Sequence, residues 1–99
     1  MNYYPLQPVL NAEGYKQIAI EASVTTPLAP NISAAGALIA NTSATDRIYY
    51  IVTGEDFSAT DIGIPILPGE TVFLPNKEHL TNIRFTASSR SNLTCQFYI

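Results

Sequence analysis

The chain has 99 residues, the size of one small domain. Hydrophobic residues make up 46% of it, which predicts a globular fold, whereas charged residues make up only 13%. Five Lys and Arg against eight Asp and Glu give a net charge of −3, which argues against a nucleic-acid-binding protein or a polybasic membrane binder.

The N-terminus begins Met-Asn-Tyr-Tyr-Pro, without the basic and apolar stretches of a secretory leader. We therefore expect a chain that is made and kept in a reducing cytoplasm, or one that lacks a leader already removed. A single Cys cannot form an intramolecular disulfide, and a single His cannot supply a His-pair metal site. No apolar run approaches the roughly 18 residues of a membrane span. We expect neither a cofactor nor a metal.

Residues 1–15 lack strand alternation but are rich in Tyr and Pro. Prolines favour extended geometry, and tyrosines combine a large apolar ring with a polar tip. We predict an extended N-terminal arm over 1–15, followed by the folded domain over 16–99. Two interpretations remain open: the arm lies on another protein or an adjacent copy, with Tyr3, Tyr4 and Leu6 in the interface, or it packs on its own domain.

Three segments show the period-2 alternation of half-buried antiparallel strands. They span residues 17–24, 82–87 and 92–99. The predicted inward residues are Ile18, Ile20, Ala22 and Val24 in the first segment, Ile83, Phe85 and Ala87 in the second, and Leu93, Cys95, Phe97 and Ile99 in the third. Tyr98 falls on the outward face and is a candidate interface residue.

Two further strands are expected at 36–40 and 47–53, where alternation is less clean. The second is apolar on both faces, which suits a central strand or one whose outer face meets a partner. Tyr49 and Ile51 lie opposite its inferred core face. We expect a neighbouring subunit, a second β-layer or the arm to cover them.

Turn signals separate these strands. Leu-Pro-Gly-Glu at 67–70 fits a type II turn, predicted to join 64–67 and 71–74 as a hairpin. Pro65 predicts an edge or bulged strand. Polar turns are expected at 53–56, 75–78 and 88–92, and no segment has a convincing helical period. The pattern predicts a single all-β domain, an antiparallel β-sandwich of jelly-roll or immunoglobulin-like type with about six to eight short strands.

Few residues offer chemistry, and we predict no enzyme. His79 is expected in a surface turn without a catalytic role, and Cys95 as a buried, inert thiol. Glu55, Asp56 and Asp61, with Thr53, Ser58 and Thr60 nearby, could supply oxygen ligands to Ca²⁺, but their spacing favours a solvated loop. The Asn-x-Ser/Thr sequences at Asn31, Asn41 and Asn92 are interpreted as ordinary strand and turn residues.

A series of short motifs over 36–99 carries a resemblance. A strand ends in Asn-Thr-Ser at 41–43, an aromatic strand at 48–53 closes on Gly54, and Ser-Ala-Thr-Asp follows at 58–61. Leu-Pro-Gly at 67–69 then precedes Thr-Val-Phe at 71–73. The pattern resembles small phage virion β-sandwich proteins, found as capsid decoration or as head and tail accessory proteins. Tyr49-Tyr50 and the Gly-free turn at 88–92 depart from that pattern.

The resemblance implies a non-enzymatic virion protein that decorates and stabilises the assembled capsid. Its expected partners are the major capsid protein or other virion proteins and further copies of itself, with neither nucleic acid nor membrane involved. A tail, collar or baseplate accessory subunit is an alternative within the virion. A carbohydrate-binding module is an alternative of another class, with Tyr49 and Tyr98 as an aromatic platform.

Overall fold

The computed structural model describes residues 6–30, 32–57 and 63–99, which form two antiparallel four-stranded sheets, one 3-10 turn (Ala12–Gly14) and one short α-helix. The elements are β1 (Tyr15–Ile20), β2 (Thr26–Pro27), β3 (Gly36–Asn41), β4 (Ile48–Ile51), β5 (Ile64–Ile66), β6 (Thr71–Leu74), α1 (Lys77–Asn82), β7 (Arg84–Ala87) and β8 (Ser91–Tyr98). Sheet A has the strand order β1-β8-β3-β6, and sheet B has the order β2-β7-β4-β5. The predicted antiparallel β-sandwich is confirmed.

Strand β8 is central to sheet A, because it pairs with β1 along one side and with β3 along the other. Its inward side chains, Leu93, Cys95 and Phe97, are buried as predicted. Ile99 was expected to continue this face and does not: it is 61% exposed, because it lies beyond the strand and the edge of the core.

Side chains from both sheets and from the helix fill the space between the layers. Burial of these apolar groups is the main force that holds the sheets together. The principal members are Ile18, Ile20, Leu28, Ala37, Ile39, Ile48, Ile66, Leu74, Leu80, Ile83, Phe85, Leu93, Cys95 and Phe97.

The first predicted strand is shorter than expected. Ile18 and Ile20 are buried, but β1 ends at Ile20. Ser23 adopts a φ of 60°, and its N–H donates to Ala87 O of sheet B at 2.8 Å. The chain therefore leaves sheet A here, so the prediction that Ala22 and Val24 face the core was wrong, and Val24 is 50% exposed.

The turn at 67–70 is present, but the hairpin is not. Gly69 has a φ of 84°, and the Glu70 N–H donates to Leu67 O at 2.9 Å. However, β5 pairs with β4 in sheet B, whereas β6 pairs with β3 in sheet A. The turn therefore carries the chain from one sheet to the other. Strand β5, with Pro65, lies at the edge of sheet B as predicted.

A helix occupies part of the segment predicted as a turn. Asn76 caps α1, and its side chain accepts a hydrogen bond from the His79 N–H at 2.9 Å. Leu80 is the one buried residue of these six, and its side chain packs in the core. A helix this short gives no periodic signal, which explains why the sequence pattern did not predict it.

The described part of the N-terminal arm follows the second interpretation and packs on its own domain. Gln7 and Ile99 exchange two backbone hydrogen bonds of 2.9 Å, and the Val9 N–H donates to Phe97 O. The Gln96 side-chain amide donates to Val9 O at 2.9 Å and to Gly14 O at 3.0 Å. Residues 7–9 therefore pair with the C-terminal end of β8, on the same side of that strand as β1, and continue this edge of sheet A. Tyr3 and Tyr4 lie outside the described residues.

A buried amide ties the two sheets together at one end. The Asn41 Nδ2 on β3 donates to Asp46 O and to Ile66 O of β5, both at 2.7 Å, and its Oδ1 accepts from the Ser43 N–H at 3.0 Å. The Asn41 side chain is buried, so this Asn-x-Ser sequence has a role in the fold, as its interpretation as an ordinary strand residue implied. Strand, loop and opposite sheet are thus held by one side chain.

We predict that Asn41→Ala lowers the free energy of unfolding by about 2 kcal/mol or more, because it leaves buried backbone groups without partners. The matched control is Asn92→Ala, which removes the amide of an exposed Asn in another sequon and should change stability by less than about 0.5 kcal/mol. Chemical denaturation measures both. Equal losses in the two variants would contradict the role assigned to Asn41.

Candidate interaction surface

In the described ranges, the four strands of sheet A present no charged side chain on their outer face. Register places Leu38 beside Gln96 and Phe73, Tyr15 beside Gln96, and Gln17 beside Thr94. We call this surface the uncharged face. Its members are Tyr15, Gln17 and Ala19 of β1, Asn92, Thr94, Gln96 and Tyr98 of β8, Gly36, Leu38 and Ala40 of β3, and Thr71 and Phe73 of β6.

One end of the uncharged face forms an aromatic corner, made of Leu6, Gly36, Phe73 and Tyr98. The rings of Phe73 and Tyr98 meet edge to face, with centroids 5.4 Å apart and planes at 78°. Gly36 leaves room for this packing, because a Cβ there would lie 2.8 Å from Leu6 Cδ1 and 3.5 Å from Phe73 Cζ. Phe73 nevertheless remains 45% exposed, so the corner presents apolar surface to a partner.

The opposite end of this face is polar but still uncharged. Gln17, Ala19, Thr42, Asn92 and Thr94 line a depression of about 360 Å³. The Asn92 N–H donates to Ser43 Oγ at 2.8 Å, which fixes the rim of the depression to the loop after β3. Hydroxyl and amide groups of this kind can bind a polar, uncharged ligand or the backbone of a partner protein.

A second depression, of about 450 Å³, adjoins the aromatic corner. It is lined by Leu6, residues 33–35, residues 75–77 and Ile99. Ile99 is one of the most exposed large apolar residues of the described chain. The apolar surface of the corner therefore continues around this end of the sandwich.

The outer face of sheet B is different. Arg84 lies on it, and its guanidinium donates to Thr81 O and Ile83 O, both at 2.9 Å. Ile51 is only 8% exposed, and Gly63 approaches it so closely that a Cβ there would lie 3.2 Å from Ile51 Cγ2. The chain therefore covers Ile51 itself, so the expectation that a neighbouring subunit, a second β-layer or the arm would cover it was wrong.

Four of the candidate interface residues are described, and they do not form one surface. Leu6 and Tyr98 both lie at the aromatic corner, next to Gly36, whereas Tyr49 is half-buried on the outer face of sheet B, where Ile51 is buried. Tyr49 and Tyr98 therefore lie on opposite sides of the sandwich and cannot form a single stacking platform.

The other residues that the sequence suggested for chemistry are His79 and the acidic loop around residues 55–61. His79 lies on α1, with its Nδ1 2.6 Å from the capping Asn76 Oδ1. Among residues 6–30, 32–57 and 63–99, no three His, Cys, Asp or Glu side chains group as metal ligands. Ser58, Thr60 and Asp61, and the sequon at Asn31, fall outside the described residues. No helix in the described ranges is long and apolar enough to cross a membrane.

Sequence reasoning missed Phe73, Leu38 and the β1 members of the uncharged face. The available signal was the outward set of each alternating strand, which is free of charge in β1, β3, β6 and β8. These uncharged positions form one continuous surface only because the strand order makes the four strands neighbours, and the sequence alone does not reveal that order.

Comparisons with known protein families, curated proteins and solved structures find no match for this chain.

Cys95 is the one Cys of the chain, and burial raises the pKa of its thiol from 9.0 to about 12, although the charge of Lys16 opposes the shift. We predict that a thiol-specific disulfide reagent at pH 8 leaves the folded protein unlabelled and labels it fully in denaturant, because thiolate forms only on unfolding. Rapid labelling of the native protein would show that Cys95 is accessible.

The same pKa shift makes stability depend on pH. Because the unfolded thiol ionises at a lower pH than the folded one, the stability that the buried thiol contributes is complete below about pH 9 and is lost towards pH 12.

Proposed function

We propose that this chain is a non-enzymatic structural protein of a bacteriophage virion, a capsid decoration protein that binds the assembled head through its uncharged face. The observation that carries the binding role is the absence of charge among the outward side chains of the four described strands that form that face. The phage assignment is supported by the sequence resemblance over 36–99.

The uncharged face suits a surface that is covered in the working state. Transfer of a charged side chain from water into an interface costs several kcal/mol unless it is paired, whereas aromatic and hydrogen-bonded neutral groups cost far less. Interface cores are accordingly depleted in charge and enriched in Tyr and Phe. The aromatic corner matches that composition, and Leu38 continues it across β3.

Binding to the assembled shell would stabilise it by mass action. A protein that binds the lattice, but not its dissociated subunits, shifts the equilibrium towards the intact particle. This function requires no catalytic group in the chain. The proposed partner is the major capsid protein, the proposed location is the capsid surface, and neighbouring copies provide further contacts.

A carbohydrate-binding module is the second candidate, supported by the polar depression of the uncharged face. Gln17, Asn92 and Thr94 supply amide and hydroxyl groups there. Sugar hydroxyls are bound by such groups, with an aromatic side chain beneath the ring. Tyr15 lies two residues before Gln17 in β1, on the same face of the sheet. It is 48% exposed and would supply that ring.

The decisive comparison uses two threonines in matched positions. Thr94 lies on the uncharged face in β8, and Thr86 lies on the outer face of sheet B in β7; both are half-buried outward residues of inner strands. We predict that Thr94→Lys weakens binding to particles at least about tenfold, equivalent to about 1.4 kcal/mol, because it buries an unpaired charge. Thr86→Lys should bind as the wild type does.

Binding is measured by co-sedimentation with particles purified from the host that carries the gene, after removal of the native protein. Thermal melts confirm that both variants are folded. Absence of the chain from purified particles, or equal binding by the two variants, would contradict the proposal. Sedimentation with tail fractions would instead support the accessory subunit, and a glycan-array signal lost in Thr94→Lys would support the carbohydrate module.

A further inference from the structure

The four edge strands of the sandwich differ in how they are protected against pairing with another chain. An exposed edge is normally blocked by Pro, by an inward-pointing charge or by being very short. In sheet B, β2 has two residues including Pro27, and β5 has three including Pro65. In sheet A, β1 carries Lys16 on its inward side, where the ammonium donates to Ala29 O.

Strand β6 has none of these devices. Its sequence, Thr-Val-Phe-Leu, lacks charge and Pro, and it pairs in register with β3 from Thr71 to Leu74 without a bulge. All four residue types are compatible with strands, and three of them are β-branched or aromatic. Of the edge strands in the described chain, β6 is therefore the one that is open to another strand.

The backbone groups that β6 offers can be identified from the ladder. The Asn41 N–H donates to Glu70 O at 3.0 Å. Because hydrogen-bonded and non-hydrogen-bonded pairs alternate in an antiparallel ladder, the backbone of Val72 and Leu74 points towards β3. The N–H and C=O groups of Thr71 and Phe73 consequently point away from the sheet.

We propose that β6 pairs in antiparallel fashion with β6 of a second copy of this chain, with Val72 opposite Val72 on the two-fold axis. In this register Thr71 of each copy faces Phe73 of the other, so their outward N–H and C=O groups pair completely. The two A sheets become one continuous sheet, and the two uncharged faces become one surface with Phe73 at the seam.

Two features favour a second copy in this register. The strand contains no charge, and the nearest flanking charges have opposite sign, Glu70 before it and Lys77 after it. Antiparallel pairing brings the Glu70 end of each strand towards the Lys77 end of the other, whereas parallel pairing would place like ends together. A register centred on Phe73 would set Thr71 of each copy against Pro75 of the other. Because Pro has no N–H, each of these two pairs would lose one hydrogen bond.

The interface is small, because each copy contributes one four-residue strand. We therefore expect a weak dimer in free solution that strengthens when neighbouring copies are held on a common surface, where the effective concentration is high. The pairing uses the edge of sheet A and does not depend on what the uncharged face binds. Dimer formation and particle binding can thus fail independently.

Disulfide trapping tests the register. Residues facing each other in a non-hydrogen-bonded pair have Cα atoms about 4.5 Å apart, within the range that a disulfide spans. Val72→Cys should therefore form a covalent dimer in a glutathione redox buffer, whereas Phe73→Cys and the wild type, with its buried Cys95, should not. Trapping by Phe73→Cys alone would overturn the Val72 register, and trapping by neither would overturn the pairing.

Amide exchange tests the pairing in the unmodified chain. Exchange at Thr71 and Phe73 should slow as protein concentration rises, while Val72, already bonded to β3, should exchange at the same rate throughout. Thr71→Pro, which places the edge-blocking residue of β2 and β5 on β6, should abolish this dependence, and Thr71→Val should preserve it. Exchange at Thr71 and Phe73 that is independent of concentration would overturn the proposal.

Discussion

Strand β8 imposes the constraint on which the rest of the structure depends. Its eight residues pair with β1 and β3 and alternate between the core and the solvent side of sheet A. The strand thus builds the core and the uncharged face together: a slip of one residue would exchange Cys95 and Phe97 for Gln96 and Tyr98. Gln96 adds a second link, because its amide fixes residues 9–14 against the sheet. Stability and surface chemistry are therefore coupled through one segment.

The sequence predicted the elements best where a strand is long and one of its faces is buried. Alternation located the inward residues of β7 and β8 correctly, and Pro65 correctly indicated an edge. Connections were harder, because a turn signal is local whereas the choice of pairing partner depends on the whole sandwich. The turn at 67–70 has the expected geometry, yet its two flanking strands belong to different sheets. Asn41 looked like an ordinary turn residue, since nothing local reveals that its amide reaches Ile66 O of the opposite sheet.

The candidate surface was less accessible from the sequence than the core. Tyr98 was correctly placed on an outward face, but Tyr49 lies on the other side of the sandwich, and Ile51 is covered by its own chain. The uncharged face combines residues from near positions 15, 38, 72 and 95, so its continuity follows from strand order and not from any local motif. Its aromatic corner depends also on Gly36, whose missing side chain lets Leu6 and Phe73 approach the backbone.

The central claim is that the uncharged face of sheet A is buried when the protein is bound to its partner on the particle. Hydroxyl-radical footprinting tests it directly, because exposed aromatic rings are oxidised faster than covered ones. Rates are compared for free protein and for protein bound to particles, with Tyr49 on the outer face of sheet B as the internal reference. The claim predicts strong protection of Phe73, Tyr98 and Tyr15 on binding and an unchanged rate at Tyr49. Protection of Tyr49 with unchanged oxidation of Phe73 and Tyr98 would contradict it.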